Sequence, residues 1–196
     1  MITTDQIKAL RDKTGISVMQ CKQALESADG DEGKALELLK KKGAEIAAKK
    51  SERTLGAGMV HCYIHAGGAV GTMVELNAET DFVAKHDDFK ALAYDVAMHV
   101  AAMNPKYIDE ADISAEERAV AEALFREEVE AMQKPADVKA KVLEGKLSTY
   151  LGERTLLAQP FVKNSDMTVS ELLEQATQKF GEKVQIRRFV RFAVLQ

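Results

Sequence analysis

The sequence predicts an α+β fold: a small three-helix bundle over residues 1–54, then a core over residues 55–196 built on a three-stranded antiparallel sheet covered by helices. Three observations carry this. The first fifty residues hold three short stretches of helical period, each opened by a capping residue and followed by glycine. Residues 59–65 and 70–77 alternate apolar and polar side chains around Gly67-Gly68, and residues 184–195 alternate again. Longer stretches of helical period lie between these strands.

In the bundle, Thr3 followed by Gln6 is a capping-box pattern, and Ile7, Leu10 and Arg11 carry one face as far as Gly15. Ser17 with Gln20 opens a second helix bearing Val18, Cys21, Ala24 and Leu25, which Gly30 ends. Asp31 caps a third with Ala35, Leu38 and Leu39, and Gly43 reads as its stop. Helices this short enclose few side chains, so the bundle is marginal alone and is expected to touch something. Val18 and Met19 are adjacent, about 100° apart on a helix, and cannot both face one small core. At least one is expected at the surface. From residue 44 to 57 the composition shifts to Ala-Ala-Lys-Lys-Ser-Glu-Arg and then Gly-Ala-Gly. That is the pattern of a frayed helix running into a linker, and it sets the boundary between the two parts.

The two strands around Gly67-Gly68 predict a hairpin. The second leads into Asn77-Ala-Glu-Thr-Asp-Phe-Val-Ala-Lys-His-Asp-Asp-Phe89, where alternation (Val70, Thr72, Val74, Leu76) gives way to helical period (Phe89, Leu92, Ala93, Val96, Ala97, Val100). Thr80 is placed to cap the new turn with its hydroxyl, and Asp81 sets a carboxylate at the turn's positive end. Phe82 follows a polar run, where a core aromatic is hard to bury. A corner presenting Thr-Asp-Phe-Val has the form of a probe; the competing reading folds Phe82 back onto its own domain. The helix after it is expected from about Asp87 to Met103, ended by Pro105.

Ser114 with Glu117 opens a helix to about Lys134, with Val120, Leu124 and Val129 spaced for one buried stripe. Pro135 suits the first turn of the next, which carries Val138, Val142, Leu147, Tyr150 and Leu151. The pair reads as a helical hairpin, and residues 159–163 as an extended connector. Thr168 with Glu171 caps a helix bearing Leu172, Leu173, Ala176 and Phe180, up to Gly181. In the last strand, strict alternation groups Val184, Ile186, Arg188, Val190, Phe192 and Val194 on one face. Gln185, Arg187, Phe189, Arg191 and Ala193 fall on the other. Both faces carry apolar bulk, as in a strand lying under another sheet or a partner. The arginines are expected to pair with carboxylates on neighbouring helices.

In 196 residues, 46% of them apolar, there is room for such a core, and no apolar run approaches a membrane span. A net charge of −4 argues against a general nucleic-acid binder. Cys21 and Cys62 lie in no metal spacing, and His61 and His65, though on one strand face, are about 13 Å apart. His86 and His99 have no Cys or Ser partner in a catalytic spacing. The Gly67-Gly68 pair lacks the helix and Lys-Ser/Thr of a phosphate loop. No metal, cofactor or catalytic residue is therefore expected. The opening Met1-Ile-Thr-Thr-Asp carries no basic or apolar leader, and with two free thiols this predicts a cytoplasmic location.

Three segments are similar, in order, to the signatures of elongation factor Ts, the nucleotide-exchange factor for the GTPase elongation factor Tu. They are Leu10-Arg-Asp-Lys-Thr-Gly-Ile-Ser-Val-Met-Gln-Cys-Lys-Gln-Ala-Leu25, Thr80-Asp-Phe-Val-Ala-Lys85 and Ile186-Arg-Arg-Phe-Val-Arg-Phe192. The resemblance implies a UBA-like bundle that docks on the partner's nucleotide-binding domain, with Leu10, Val18 and Met19 as contacts. The family commonly has Gly-Met-Met where this chain has Ser17-Val18-Met19, which keeps the apolar character and changes its shape. It further implies that Phe82 is a wedge and that Asp81 disturbs the partner's Mg²⁺, with Thr80 and Val83 holding the turn. A single sheet unit implies a short form that makes a homodimer. Two other classes compete: an adaptor for ubiquitin-like or nascent-chain partners, and a small hydrolase using His86 with Asp87 or Asp88.

Overall fold

The structure, a computed structural model, describes residues 2–194. Helices α1 (Thr4–Thr14), α2 (Val18–Ser27) and α3 (Glu32–Lys50) form the bundle around Leu10, Ile16, Cys21, Leu25, Ala35 and Leu39. Local chemistry sets most of their ends. Thr3 and Gln6 make both bonds of the capping box, Ser17 accepts from the Gln20 amide, and Asp31 accepts from that of Lys34. Gly15 and Gly30 take φ of 68° and 83°, the left-handed region that a side chain resists.

Gly43 is the exception. It does not stop α3, which runs on to Lys50, and the linker that follows is residues 51–56. A Cβ on Gly43 would lie 3.0 Å from Gln178 Oε1 and 3.7 Å from the Glu174 carbonyl. The glycine is there because another helix crosses α3 at that point.

Beyond the bundle the order is β1 (Ala57–Ile64), β2 (Val70–Ala78), the single turn α4 (Asp81–Ala84) and α5 (Asp87–Met103). Then come α6 (Ala115–Glu130), α7 (Ala136–Arg154), β3 (Pro160–Phe161), β4 (Asn164–Thr168), α8 (Val169–Phe180) and β5 (Gln185–Ala193). The main sheet is antiparallel in the order β1-β2-β5. β3 and β4 pair as a small separate hairpin where an extended connector was expected. Helix α5 lies on the inner face and α8 joins the same core from beside it, burying Val74, Leu76, Phe89, Val96, Val100, Leu173 and Ile186.

Strict alternation fails in β5. Ile186 lies opposite Leu76 and Arg188 opposite Glu75, so Arg187 is an extra residue, a bulge that shifts the phase. Phe189 packs on the core, while Arg188, Val190, Phe192 and Val194 face outward. The expected last residue of this strand, Leu195, lies outside the described residues. Arg187 and Arg188 pair with Glu75, at 3.6 and 2.6 Å, on the neighbouring strand and not on a helix. Arg191 donates to the Ala101 carbonyl at the end of α5. On α6, Val129 is buried as expected, but Val120 and Leu124 are exposed and the stripe shifts one residue there, burying Ala121. Phe125 completes that inner face and meets Tyr150 of α7 at a centroid distance of 5.4 Å.

His99, wholly buried on α5, ties this helix to the β3–β4 hairpin. Its Nδ1 accepts from the Val162 amide at 3.1 Å, leaving Nε2–H to donate to Gln159 Oε1 at 2.9 Å. Both bonds need the neutral ring, since a second proton on Nδ1 would face an N–H. Burial accordingly holds the imidazole below its ordinary 6.5. The unfolded chain then takes up a proton that the folded chain resists. This stabilisation is complete above pH 6.5 and is lost as the pH falls below it. Urea midpoints should decline from about pH 7 to about pH 5, and the non-titrating His99→Gln variant, less stable throughout, should lack that part of the slope.

Candidate partner-binding site

Where β2 ends, Leu76 and Ala78 are buried on the inner face, and Val83 and Ala84 are buried one turn later. These four anchors pin the corner from below. Asp81 and Phe82 lie between the two buried pairs and point outward. Phe82 is 83% exposed, so it does not fold back on its own core. Among the described residues, the Asp81 carboxylate makes one ion pair, an exposed one with Lys85 at 3.2 Å.

Thr80 stands at the start of α4 in extended conformation, but its hydroxyl does not cap the turn. It donates to Glu182 Oε1 at 2.6 Å, and the Thr80 amide donates to Oε2 of the same carboxylate at 3.0 Å. Turned toward this charged acceptor, the hydroxyl accepts no bond from the amides of α4. Glu79 answers in the other direction, accepting from the Lys183 amide at 2.6 Å and from Arg53 at 3.0 Å. That amide, with Arg53 and Lys50 beside it, holds the Glu79 carboxyl below its ordinary 4.5. Lys50 reaches the Gly181 carbonyl at 2.8 Å, and Lys183 the Ser51 carbonyl at 2.6 Å. Behind the corner, the Phe180 ring meets His86 and Phe89 edge-on, and Lys179 pairs with Asp88 at 2.8 Å. His86 caps α5, its Nδ1 accepting from the Asp88 amide.

This corner carries Thr80-Asp-Phe-Val-Ala-Lys85, and a family model described as Elongation factor TS matches residues 8–196. The chain belongs to the elongation factor Ts family. The protein of that name from Carboxydothermus hydrogenoformans is 47% identical over 98% of this chain and 88% of its own length. Those from Moorella thermoacetica and Herpetosiphon aurantiacus are 44% and 43% identical, over 99% and 98% of this chain and 96% and 98% of theirs. Membership makes the chain a translation elongation factor.

For this member of the elongation factor Ts family, the corner residues stand together and the bundle residues divide. Val18 and Met19 are side by side at the start of α2, 55% and 65% exposed. Leu10 is wholly enclosed in the bundle core, so its side chain supports the surface without forming part of it. Glu79 and Glu182 were missed. Glu79 adjoins the motif and Glu182 follows a helix-stopping glycine, but nothing local pairs positions 102 residues apart. Among the described residues no group of three or more His, Cys, Asp or Glu side chains is placed to hold a metal, and no helix is long and apolar enough to cross a membrane.

Two phenylalanines separate surface from core. Phe82→Ala should change unfolding free energy by no more than about 0.5 kcal/mol, as for an exposed site. Phe89→Ala, at a fully buried ring, should cost about 3–5 kcal/mol. Denaturant titration of both variants checks this.

Proposed function

We propose that this chain promotes nucleotide exchange on elongation factor Tu. It binds the GDP-loaded GTPase, disturbs the Mg²⁺ and phosphate region, and releases GDP so that GTP can enter. The observation carrying this reading is the Phe82 ring, exposed on a corner whose backbone is held from below and behind. An exposed aromatic gains free energy only when a partner covers it, and a fixed backbone makes it a wedge in place of a flexible anchor. Asp81 brings a carboxylate to the partner's cation region and competes there for Mg²⁺.

A factor that favours the nucleotide-free state weakens nucleotide by the same factor, through linkage. It lowers the barrier and does not choose GTP over GDP. No bond is made or broken in this chain, and no cofactor takes part. Val18 and Met19 grip the same GTPase domain, residues 55–196 supply the wedge and touch a further domain of the partner, and the cytoplasm is the place of work.

The outer face of the sheet supports a homodimer. Val60, Ile64, Met73, Val190, Phe192 and Val194 are all exposed there, with Phe192 at 70%. Sheets stack about 10 Å apart, and the same face of a second copy would close the patch isologously.

Release of a fluorescent GDP from elongation factor Tu should be accelerated by catalytic amounts of this protein. Phe82→Ala should lose roughly tenfold or more of that acceleration, within the usual range of coupling between sites. Acceleration kept in the variant would move the mechanism to Asp81 or the bundle, and none with the unaltered protein would favour the adaptor reading. Light scattering should give twice the chain mass of 21.5 kDa, and Phe192→Glu should give the single mass. A single mass for the unaltered protein would refute the dimer.

A further inference from the structure

We propose that Glu182 is a positioning residue for exchange, setting the direction of Phe82 through Thr80; this rests on the reading of Phe82 as the wedge. A helix of one turn has no stability of its own, so the orientation of α4 must come from outside it. Val83 and Ala84 fix one side by burial. On the other side both donors of Thr80, amide and hydroxyl, converge on one carboxylate at 3.0 and 2.6 Å. Two bonds from one residue to one planar acceptor fix the backbone plane as well as the side-chain rotamer. Phe82 leaves the chain two residues later, so a rotation at Thr80 swings its ring.

Glu182 is itself well referenced. It follows Gly181, which closes α8 in the left-handed region at φ 69°, and it precedes Lys183, whose amide is held by Glu79. The exchange is reciprocal: Glu79 accepts from residue 183 while Glu182 accepts from residue 80. Lys50 and Lys183 extend the clasp to the end of α3 through the Gly181 and Ser51 carbonyls. The corner and the helix leading to the bundle are thereby set against the same turn.

The test is a double-mutant cycle in fluorescent-GDP release from elongation factor Tu, using the full chain. Glu182→Ala should lower the maximal rate roughly tenfold, as expected for a misplaced acting group, with a smaller change in the concentration giving half-maximal rate. Glu182→Gln, which keeps one acceptor oxygen, should lose less. Added to Phe82→Ala, the Glu182→Ala change should have no further effect. Amide exchange at residues 80–84 should quicken in Glu182→Ala while the Tm moves by only a few degrees. If Phe82→Ala slows exchange and Glu182→Ala does not, the wedge stands and the positioning role falls. Multiplying losses in the double variant would also overturn it, by showing action elsewhere than through Phe82. If Phe82→Ala itself changes nothing, the wedge reading fails and this inference goes with it.

Discussion

The packing of α8 between α3 and the β3–β4 hairpin, with its apolar face in the core beneath the sheet, sets the position of the corner and of the bundle. Val169, Leu173 and Ala176 are buried in the core, each large side chain worth about 1.5–3 kcal/mol. The polar contacts along the same helix are worth about 1 kcal/mol each. Burial therefore decides where α8 lies, and the polar contacts decide its rotation and height. Gln178 donates to Gln20 of α2 at 2.7 Å, and Thr177 accepts from the Val184 amide as the chain turns into β5. The last turn then supplies Lys179, Phe180 and the residues that hold the corner. Gly43 lets α3 come close enough for one helix to serve both the bundle and the sheet.

What was legible in the sequence was local. Capping residues act within three or four positions, so Thr3 with Gln6, Asp31, and Thr168 with Glu171 announced their helices, as Gly15 and Gly181 announced two ends. The corner was legible for the same reason: a change from alternation to helical period across Thr80 is visible in the residues themselves. Most of the failures came from tertiary context. Gly43 carries the signal of a stop but serves a crossing. The Thr80 hydroxyl had a local use open to it and was taken by a carboxylate 102 residues away. The bulge at Arg187 comes from pairing with β2, and without it alternation misassigns every residue that follows. On α6, alanine and phenylalanine face inward one step from the valine and leucine that hydrophobicity alone would choose.

The two faces of the sheet show how one strand serves two ends. Inward residues of β2 are buried without exception from Thr72 to Ala78, while Met73 stands exposed opposite them. An edge made only of backbone would invite indiscriminate pairing. An apolar patch bounded by the Glu75 pairs with Arg187 and Arg188 offers instead a surface that a matching face can close.

The clasp also orders events in time. Glu182 is synthesised about 5–20 s after Thr80 at ordinary elongation rates. The bundle core draws only on residues before α3 ends and has its partners at once. The corner lacks its Glu182 and Lys183 anchors until the chain is nearly made, and β2 meanwhile has β1 on one side and a bare edge on the other. A nascent chain of this protein thus carries Val18 and Met19 on a finished bundle long before Phe82 stands on a fixed corner.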